Sequence, residues 1–460
     1  MDASQSVDQA GFRSGFSCAD HLLAVTLLIE IFSEHRLPLW ICTVDFEKAF
    51  DSIEHSFLWR SLVEQGVDIR YVRLLATFYQ GQRGHVCGSA MSKAFQIGRG
   101  TKQGDPLSPV LFNAALEKVI EPLHKKWQAQ GFGLPVENAA GRRLTNLRFA
   151  DDILLMATTR RQVKIMIEDL IAAAAEAGLS IHCGKTKIMT NSSSSRGGMM
   201  KLEHGEVEVV PPAGSSAYLG KTMNLQSVHD VEIAARIDRA WKKFFASKTD
   251  LCGRHVNLKS RLKLFNATVT PTLLYGSGSW TMTADRERLL RTTQRRMLRW
   301  MLGAIWKRPL EEELQEESWE SSSGSNSSHL ESETEPNDET EKLQEESWIE
   351  WIQRCTHTVV RHLENATMDD WVVAQRRRKW RLAGHTARRT DHRWSETVLG
   401  WEPPYSHRPR GHPCKRWESD LDAFFFEREG APRWVWQTAA KDREKWQELE
   451  KEFVARAWYR

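Results

Sequence analysis

Two apolar runs, Leu144 to Phe149 and Ile153 to Met156, enclose the dipeptide Asp151-Asp152, and a third run, Leu39 to Val44, ends on Asp45. Short runs of this character predict strands. Ala150-Asp151-Asp152 predicts the tight turn between two of them, since Asp favours turns. If the three strands share one sheet, three carboxylates meet at one edge. They cannot all stay ionised there without cations. Two divalent ions held in this way can activate a hydroxyl and stabilise a departing pyrophosphate, so the pattern points to phosphoryl transfer. Each piece also has an ordinary reading, as a turn or a strand end, and only their occurrence together points to this chemistry.

The chain has 460 residues, enough for two or three domains, with 41% hydrophobic and 27% charged residues. Leu22 to Phe32 is the most apolar early stretch, but it is short and carries Glu30, which predicts a buried helix and no membrane association. The polar start lacks the pattern of a signal peptide. Seven scattered cysteines, never spaced C-x-x-C, argue against a disulfide framework and suit a reducing, intracellular compartment. Cys355-Thr356-His357 and His412-Pro413-Cys414 are weak metal-ligand candidates.

Four zones separate by composition. Residues 1–191 carry the carboxylate motifs, and a Ser-rich break follows. Residues 192–303 become helical after Ser227-x-x-Asp230, a capping-box pattern ahead of the apolar face Ile233, Ile237, Trp241 and Phe244. Two further helices are expected, through Leu258, Leu262 and Phe265 and through Leu289, Leu290, Met297 and Leu298. Residues 304–350 form a Glu/Ser-rich linker with too little apolar content to fold alone, in which Leu314 to Trp319 recurs as Leu343 to Trp348. From Glu311 to Ser347 the charge is −13, so a total of +4 leaves +17 on the rest. That balance, with 19 tryptophans, is compatible with a nucleic-acid partner.

Residues 351–460 are rich in Arg and Trp and predict a separate, mainly helical basic region. Arg376, Arg377, Arg378 and Lys379 put positive charge on several sides of one helix, where they could bind phosphates, and exposed tryptophans could stack on bases. The competing expectation is that Trp371, Trp380, Trp394, Trp401 and Trp417 are the core of a small helical domain.

Phe50 lies five residues after Asp45. An aromatic ring there would clash with a ribose 2′-OH and favour deoxynucleotides, unless it is core beside Phe46. The loop Gly98 to Pro109 contains Gln103 and Gly104, which permit hydrogen bonding and close backbone approach to a base.

The series Gln9 to Gly15, Val44-Asp45-Phe46 with Ala49-Phe50-Asp51, Gln103 to Pro109, and Phe149-Ala150-Asp151-Asp152 resembles, in order and spacing, the reverse transcriptases of LINE-type (non-LTR) retrotransposons. Gly178 to Ile181 with Lys185-Thr186, and Tyr218-Leu219-Gly220, agree with it. The resemblance implies an α+β right-hand polymerase with partial fingers and palm over 1–191 and a helical thumb within 192–303. It implies an RNA-directed DNA polymerase that extends a DNA primer on an RNA template with dNTPs, using two Mg²⁺ (Mn²⁺ as substitute) on Asp45, Asp151 and Asp152. Lys185 would assist pyrophosphate departure. Phe46, Phe50, Gln103 and Gly104 would contact substrate, while Arg13, Arg99, Tyr218, Leu219 and Gly220 would contact nucleic acid.

Upstream fingers sequence and the N-terminal endonuclease of many such proteins are expected to be absent, the nuclease then coming from an element-encoded partner. The expected site of action is the nucleus or cytoplasm. Two other readings compete: a remnant that binds nucleic acid without synthesis, and an RNA-dependent RNA polymerase, against which Phe50 argues.

Overall fold

Leu22 to Phe32 is apolar on nearly every side, and it forms the middle of helix α1 (Cys18–Glu34), buried as a helix apolar all round must be. In the computed structural model the described residues are 5–137, 141, 143–192, 195–303, 347–366, 368–404, 406, 408, 411 and 414–456. After α1 come β1 (Trp40–Val44), α2 (Ala49–Ser52), α3 (His55–Glu64), α4 (Ile69–Tyr79), and the short strands β2 (Arg83–Gly84) and β3 (Phe95–Gln96). Then follow α5 (Ser108–Ala129), β4 (Leu134–Glu137), β5 (Arg143–Leu144), β6 (Asn146–Phe149), β7 (Asp152–Ala157), α6 (Arg160–Glu176) and β8 (Lys187–Thr190). The strands end with β9 (Gly198–Leu202), β10 (Gly205–Val209), β11 (Ser216–Tyr218) and β12 (Lys221–Met223). The helices that follow are α7 (Val228–Ala246), α8 (Lys248–Cys252), α9 (Leu258–Leu273), α10 (Ala284–Leu302) and α11 (Trp348–Asn365). Last come α12 (Trp371–Ala387), α13 (Trp394–Leu399), α14 (Ser419–Glu429), α15 (Val435–Ala439) and α16 (Arg443–Ala455). Among the described residues no helix is long and apolar enough to cross a membrane.

The chain divides into two compact units, the first made of Met1–Asp238, Leu274–Glu287 and Val373–Arg460, the second of Arg239–Leu273 and Arg288–Val372. This division crosses the compositional zones. Residues 373–460 do not stand apart as a separate region, and the strand pattern explains why.

The main sheet of the first unit runs β6-β7-β1-β8-β10-β9. Successive side chains of a strand point to opposite faces. Cys42 and Val44 of β1, with Ile153 and Leu155 of β7, enter one core with Phe57, Phe112, Leu116 and Ile167. Ile41 of β1, with Leu154 and Met156 of β7, enters the other, with α1 and with Trp380, Trp394, Trp417, Trp436 and Phe425. A strand apolar on both faces needs a layer on each side. Helices α3, α5 and α6 supply one layer; α1 and the C-terminal helices supply the other. Trp380 stacks on Trp446 with ring centroids 3.7 Å apart, and half-buried Trp401 stacks on Phe32 at 5.9 Å. Trp380, Trp394, Trp417 and Trp436 are therefore core residues, in the same core as the sheet.

In the second unit, Phe265 stacks on Trp371 at 5.8 Å, and the Trp371 indole donates to Thr270 Oγ1 at 3.0 Å. Helices α9 and α10 fall where the apolar spacing predicts them.

Three local expectations need correction. The capping box at Ser227 is not made, because Asp230 pairs with Arg286. The acidic linker ends earlier than residue 350, since Ser347 and Glu350 form a reciprocal capping box that opens α11; residues 304–346 lie outside the described residues. Cys355 is buried on α11 and serves packing, while His412 lies outside the described residues.

Candidate active site

Val44 of β1 faces Ile153 of β7 in an antiparallel ladder. One step further, Asp45 and Asp152 stand at the same end of the two strands, and opposed residues share a face. Asp151 occupies the turn between β6 and β7, where Phe149 pairs with Asp152. The register alone brings the three carboxylates to one sheet end.

Ala150 adopts φ 57°, a left-handed conformation that costs a non-glycine residue of order 1 kcal/mol. This strain sits beside the two aspartates.

The backbone continues the alignment past Asp45. Thr186 Oγ1 accepts from Asp45 N at 3.2 Å, and His182 N donates to Asp45 O at 2.8 Å. Phe46 bridges Ile181, and Glu47 N donates to Ser180 O at 2.8 Å. The chain 178–186 therefore runs beside Asp45 and delivers Lys185, whose Nζ lies 3.7 Å from Asp45 Oδ2.

A cavity of about 490 Å³ opens at this end, lined by Asp45, Asp152, Lys185, Lys187 and residues 215–220. Its far wall is the β11–β12 hairpin, in which Tyr218 pairs with Lys221 around Leu219-Gly220. Both turn residues have positive φ, 47° and 72°, as two-residue hairpins require. Leucine is costly there, and the turn is held from outside. Tyr275 Oη donates to Leu219 O at 2.9 Å, and the Arg236 guanidinium donates to Gly220 O while stacking 4.5 Å from the Tyr275 ring. Tyr218 is buried with its hydroxyl 3.2 Å from His21 Nδ1.

Electrostatics mark the same place. Burial, then the charges of Asp151 and Asp45, push Asp152 up to about 6. Asp151 is also raised, by burial first and the Asp45 charge besides. Burial, reinforced by the Asp152 charge, lifts Tyr218 well above the usual phenol range.

Asp45 Oδ2 is shielded from solvent and accepts no hydrogen bond, with Lys185 Nζ 3.7 Å away. This donor set fits hard divalent cations, which take oxygen ligands. Among the described residues no three acidic, His or Cys groups are already gathered at metal-ligating spacing. Bound cations would have to draw the carboxylates together.

The other predicted residues scatter. Phe50 is half-buried and stacked on Phe112 at 4.5 Å. Phe46 is a correction: at 7% exposure it belongs to the core beneath the sheet and offers no ring to a substrate. Gln103 and Gly104 are exposed on the loop before α5, outside the cavity lining, and Arg99 is exposed beside them. Arg13 turns inward, donating to Ser6 O and Gln9 O and stacking on Phe16.

Arg376 and Lys379 are corrections as well. Arg376 is buried against Glu287 with two short bonds, 2.7 and 2.9 Å, and Lys379 is buried against Asp420 at 2.8 Å. A phosphate cannot reach either one. Arg377 pairs with Glu450 at 3.3 Å, and exposed Arg378 anchors on Leu274 O.

Sequence reasoning missed the supports behind the turn. Gln9, fully buried, accepts at Oε1 from Ala150 N at 2.9 Å and Gly11 N at 2.8 Å. Arg148, 1% exposed, pairs with Glu117 at 3.0 Å and with Asp8 at 3.9 Å. The signal available was Gly11 itself. A Cβ there would stand 2.3 Å from Ala150 N, so the position admits only glycine.

Residues 3–223 match the family model described as reverse transcriptase (RNA-dependent DNA polymerase). A transposon-derived protein of Caenorhabditis elegans is 27% identical over 308 residues, 66% of this chain and 95% of that protein. The Pol polyprotein of the type-2 retrotransposable element R2DM of Drosophila melanogaster is 31% identical over 178 residues, covering 38% of this chain and 16% of the polyprotein. That of a type-1 element R2 of Popillia japonica is 26% identical over 321 residues, 62% and 40%. The chain thus spans well under half of the two polyproteins. Among solved structures, an apo telomerase from Candida tropicalis is 15% identical with a TM-score of 0.38, covering 65% of this chain and 46% of that one, a partial likeness. Residues 3–223 are a reverse-transcriptase domain, the RNA-directed DNA polymerase family to which the LINE-type (non-LTR) retrotransposon proteins belong.

Proposed function

We propose that this chain copies RNA into DNA: a primer 3′-hydroxyl attacks the α-phosphate of a deoxynucleoside triphosphate, and pyrophosphate leaves. The observation that carries this reading is the register of β1 and β7, which sets Asp45 opposite Asp152 beside the Asp151 turn. Divalent cations, once bound, supply the charge that activates the hydroxyl and stabilises the leaving group. Asp45, Asp151 and Asp152 are the residues that would hold them.

The protein's own groups do the rest. The Asp45 oxygen that accepts no hydrogen bond and the raised Asp152 favour cation binding at the cluster. Lys185, tethered by the turn at His182, offers its ammonium to phosphate oxygens at the edge of the cavity. The tip of the β11–β12 hairpin holds the primer end against the carboxylates. In this reading the sheet and its helices are the palm, α7 to α10 include the thumb, and Phe50, braced by Phe112, screens the sugar 2′ position.

The test separates chemistry from affinity. Asp151→Ala is expected to abolish primer extension while leaving the RNA dissociation constant within about twofold. Equal loss of both would make Asp151 a structural residue and remove the basis of the proposal.

A further inference from the structure

Three pieces of chain distant in sequence converge behind the Ala150 turn. The segment Asp8 to Ala10 lies along the edge strand β6 in a parallel bridge: Arg148 N donates to Asp8 O at 2.7 Å, and Ala10 N donates to Arg148 O at 2.9 Å. That pairing covers a strand edge that would otherwise be open, and it places Gln9 under the turn. The Gln9 amide grips Ala150 at both ends, since Oε1 accepts from Ala150 N at 2.9 Å and Nε2 donates to Ala150 O at 3.4 Å. The same Oε1 accepts from Gly11 N at 2.8 Å.

From the other side, Asn113 of α5 donates from Nδ2 to Gly11 O at 2.8 Å. One helical turn further along α5, Glu117 holds Arg148. Gly11 is wedged so closely that no side chain fits between it and the turn.

The residue so gripped is the one that carries the strain, Ala150 at φ 57°, and it is followed directly by Asp151 and Asp152. A strained residue persists only where its surroundings over-determine it. Here the determinant is a buried side-chain amide whose partners are the two ends of Ala150 and the Gly11 amide.

We propose that Gln9 is a positioning residue for the reaction: its amide holds Ala150 in the left-handed conformation that aims Asp151 and Asp152 at the cation cluster. The proposal rests on the polymerase reading for its consequence in synthesis, but its structural half stands independently. Gln9 touches neither substrate nor cations. It acts through the backbone of the turn.

The test uses the full chain with Gln9→Ala and Gln9→Glu. Glutamate keeps an acceptor for both the Ala150 and Gly11 amides; alanine keeps none. Two readouts are taken. Amide hydrogen exchange is followed on peptides spanning residues 147–153 and 40–45, and kcat and KM for dTTP are measured on poly(rA) with an oligo(dT) primer.

In Gln9→Ala, exchange at the turn is expected to rise about tenfold or more, as loss of one to two net hydrogen bonds implies, with peptide 40–45 unchanged. The accompanying kcat should fall about tenfold or more at nearly constant KM. Gln9→Glu, which keeps the acceptor but loses the Nε2 donor to Ala150 O and buries a carboxyl group, should restore part of the turn protection and of kcat. Unchanged exchange at the turn in Gln9→Ala, or a rise spread equally over both peptides, would overturn the proposal, as would failure of Gln9→Glu to restore protection. If the wild-type chain makes no DNA, the polymerase reading fails, and the exchange arm still decides whether Gln9 holds the turn.

Discussion

Replacing Asp152 by Asn should make the metal-free protein more stable while destroying its use as an enzyme. Burial and the neighbouring charges of Asp151 and Asp45 raise Asp152 from an ordinary 3.8 to about 6. Because the folded value lies above the unfolded one, the ionised carboxylate is a penalty. It is absent below about pH 4, grows as pH rises through the folded value, and is fully present above it. A rise of about two pH units corresponds to roughly 3 kcal/mol. The side chain still reaches solvent, and screening reduces this to about 1 kcal/mol. Asn fills the same space without the charge, so Asp152→Asn removes that penalty.

The assay is urea denaturation in EDTA at pH 7.5 and at pH 4. The expected result is a gain of about 1 kcal/mol at pH 7.5 that vanishes at pH 4. Adding Mg²⁺ should raise the stability of the wild type more than that of the variant, since only the wild type regains what repulsion costs it. A variant less stable than wild type at pH 7.5, or a gain independent of pH, would refute the claim that the carboxylates strain one another.

Further expectations follow from the same geometry. Phe50→Ala should leave dTTP incorporation within a few-fold but raise ribonucleotide incorporation by about tenfold or more, the order of a 1–2 kcal/mol steric discrimination, read in single-nucleotide extension with UTP against dTTP. Arg376→Ala should cost about 3–5 kcal/mol of stability by removing the guanidinium that pairs with buried Glu287, and it should leave the salt dependence of RNA binding unchanged. A smaller salt slope with intact stability would restore Arg376 as a phosphate ligand.

The strands and the carboxylate turn were legible because their determinants are local. An apolar run of four to six residues bounded by Asp has few other ways to fold. The face on which each aspartate lies followed from register, which alternation along β1 and β7 fixes. What the sequence concealed depends on distant partners. Arg376 reads as a phosphate binder until Glu287, 89 positions away, neutralises it. Asp230 reads as a cap until Arg286, 56 positions away, takes it.

The tryptophans show the same limit. Their burial is expected from size and apolarity, yet nothing local tells Trp380 or Trp417 that the core they join is the sheet's second face. That face needed a covering layer, and α1 alone is too narrow to provide it. The role of Gln9 was hidden for a related reason: it lies in the shape of the Ala150 backbone, and its local trace is a glycine two residues on.

The most direct test of the central claim is dTTP incorporation on poly(rA) with an oligo(dT) primer, in Mg²⁺ and in EDTA, with the Asp151→Ala/Asp152→Ala protein alongside. The account predicts metal-dependent synthesis by the wild type, abolished by EDTA and absent in the double variant. A folded, RNA-binding wild type that makes no DNA, or a double variant that still makes it, would contradict the assignment of chemistry to these carboxylates.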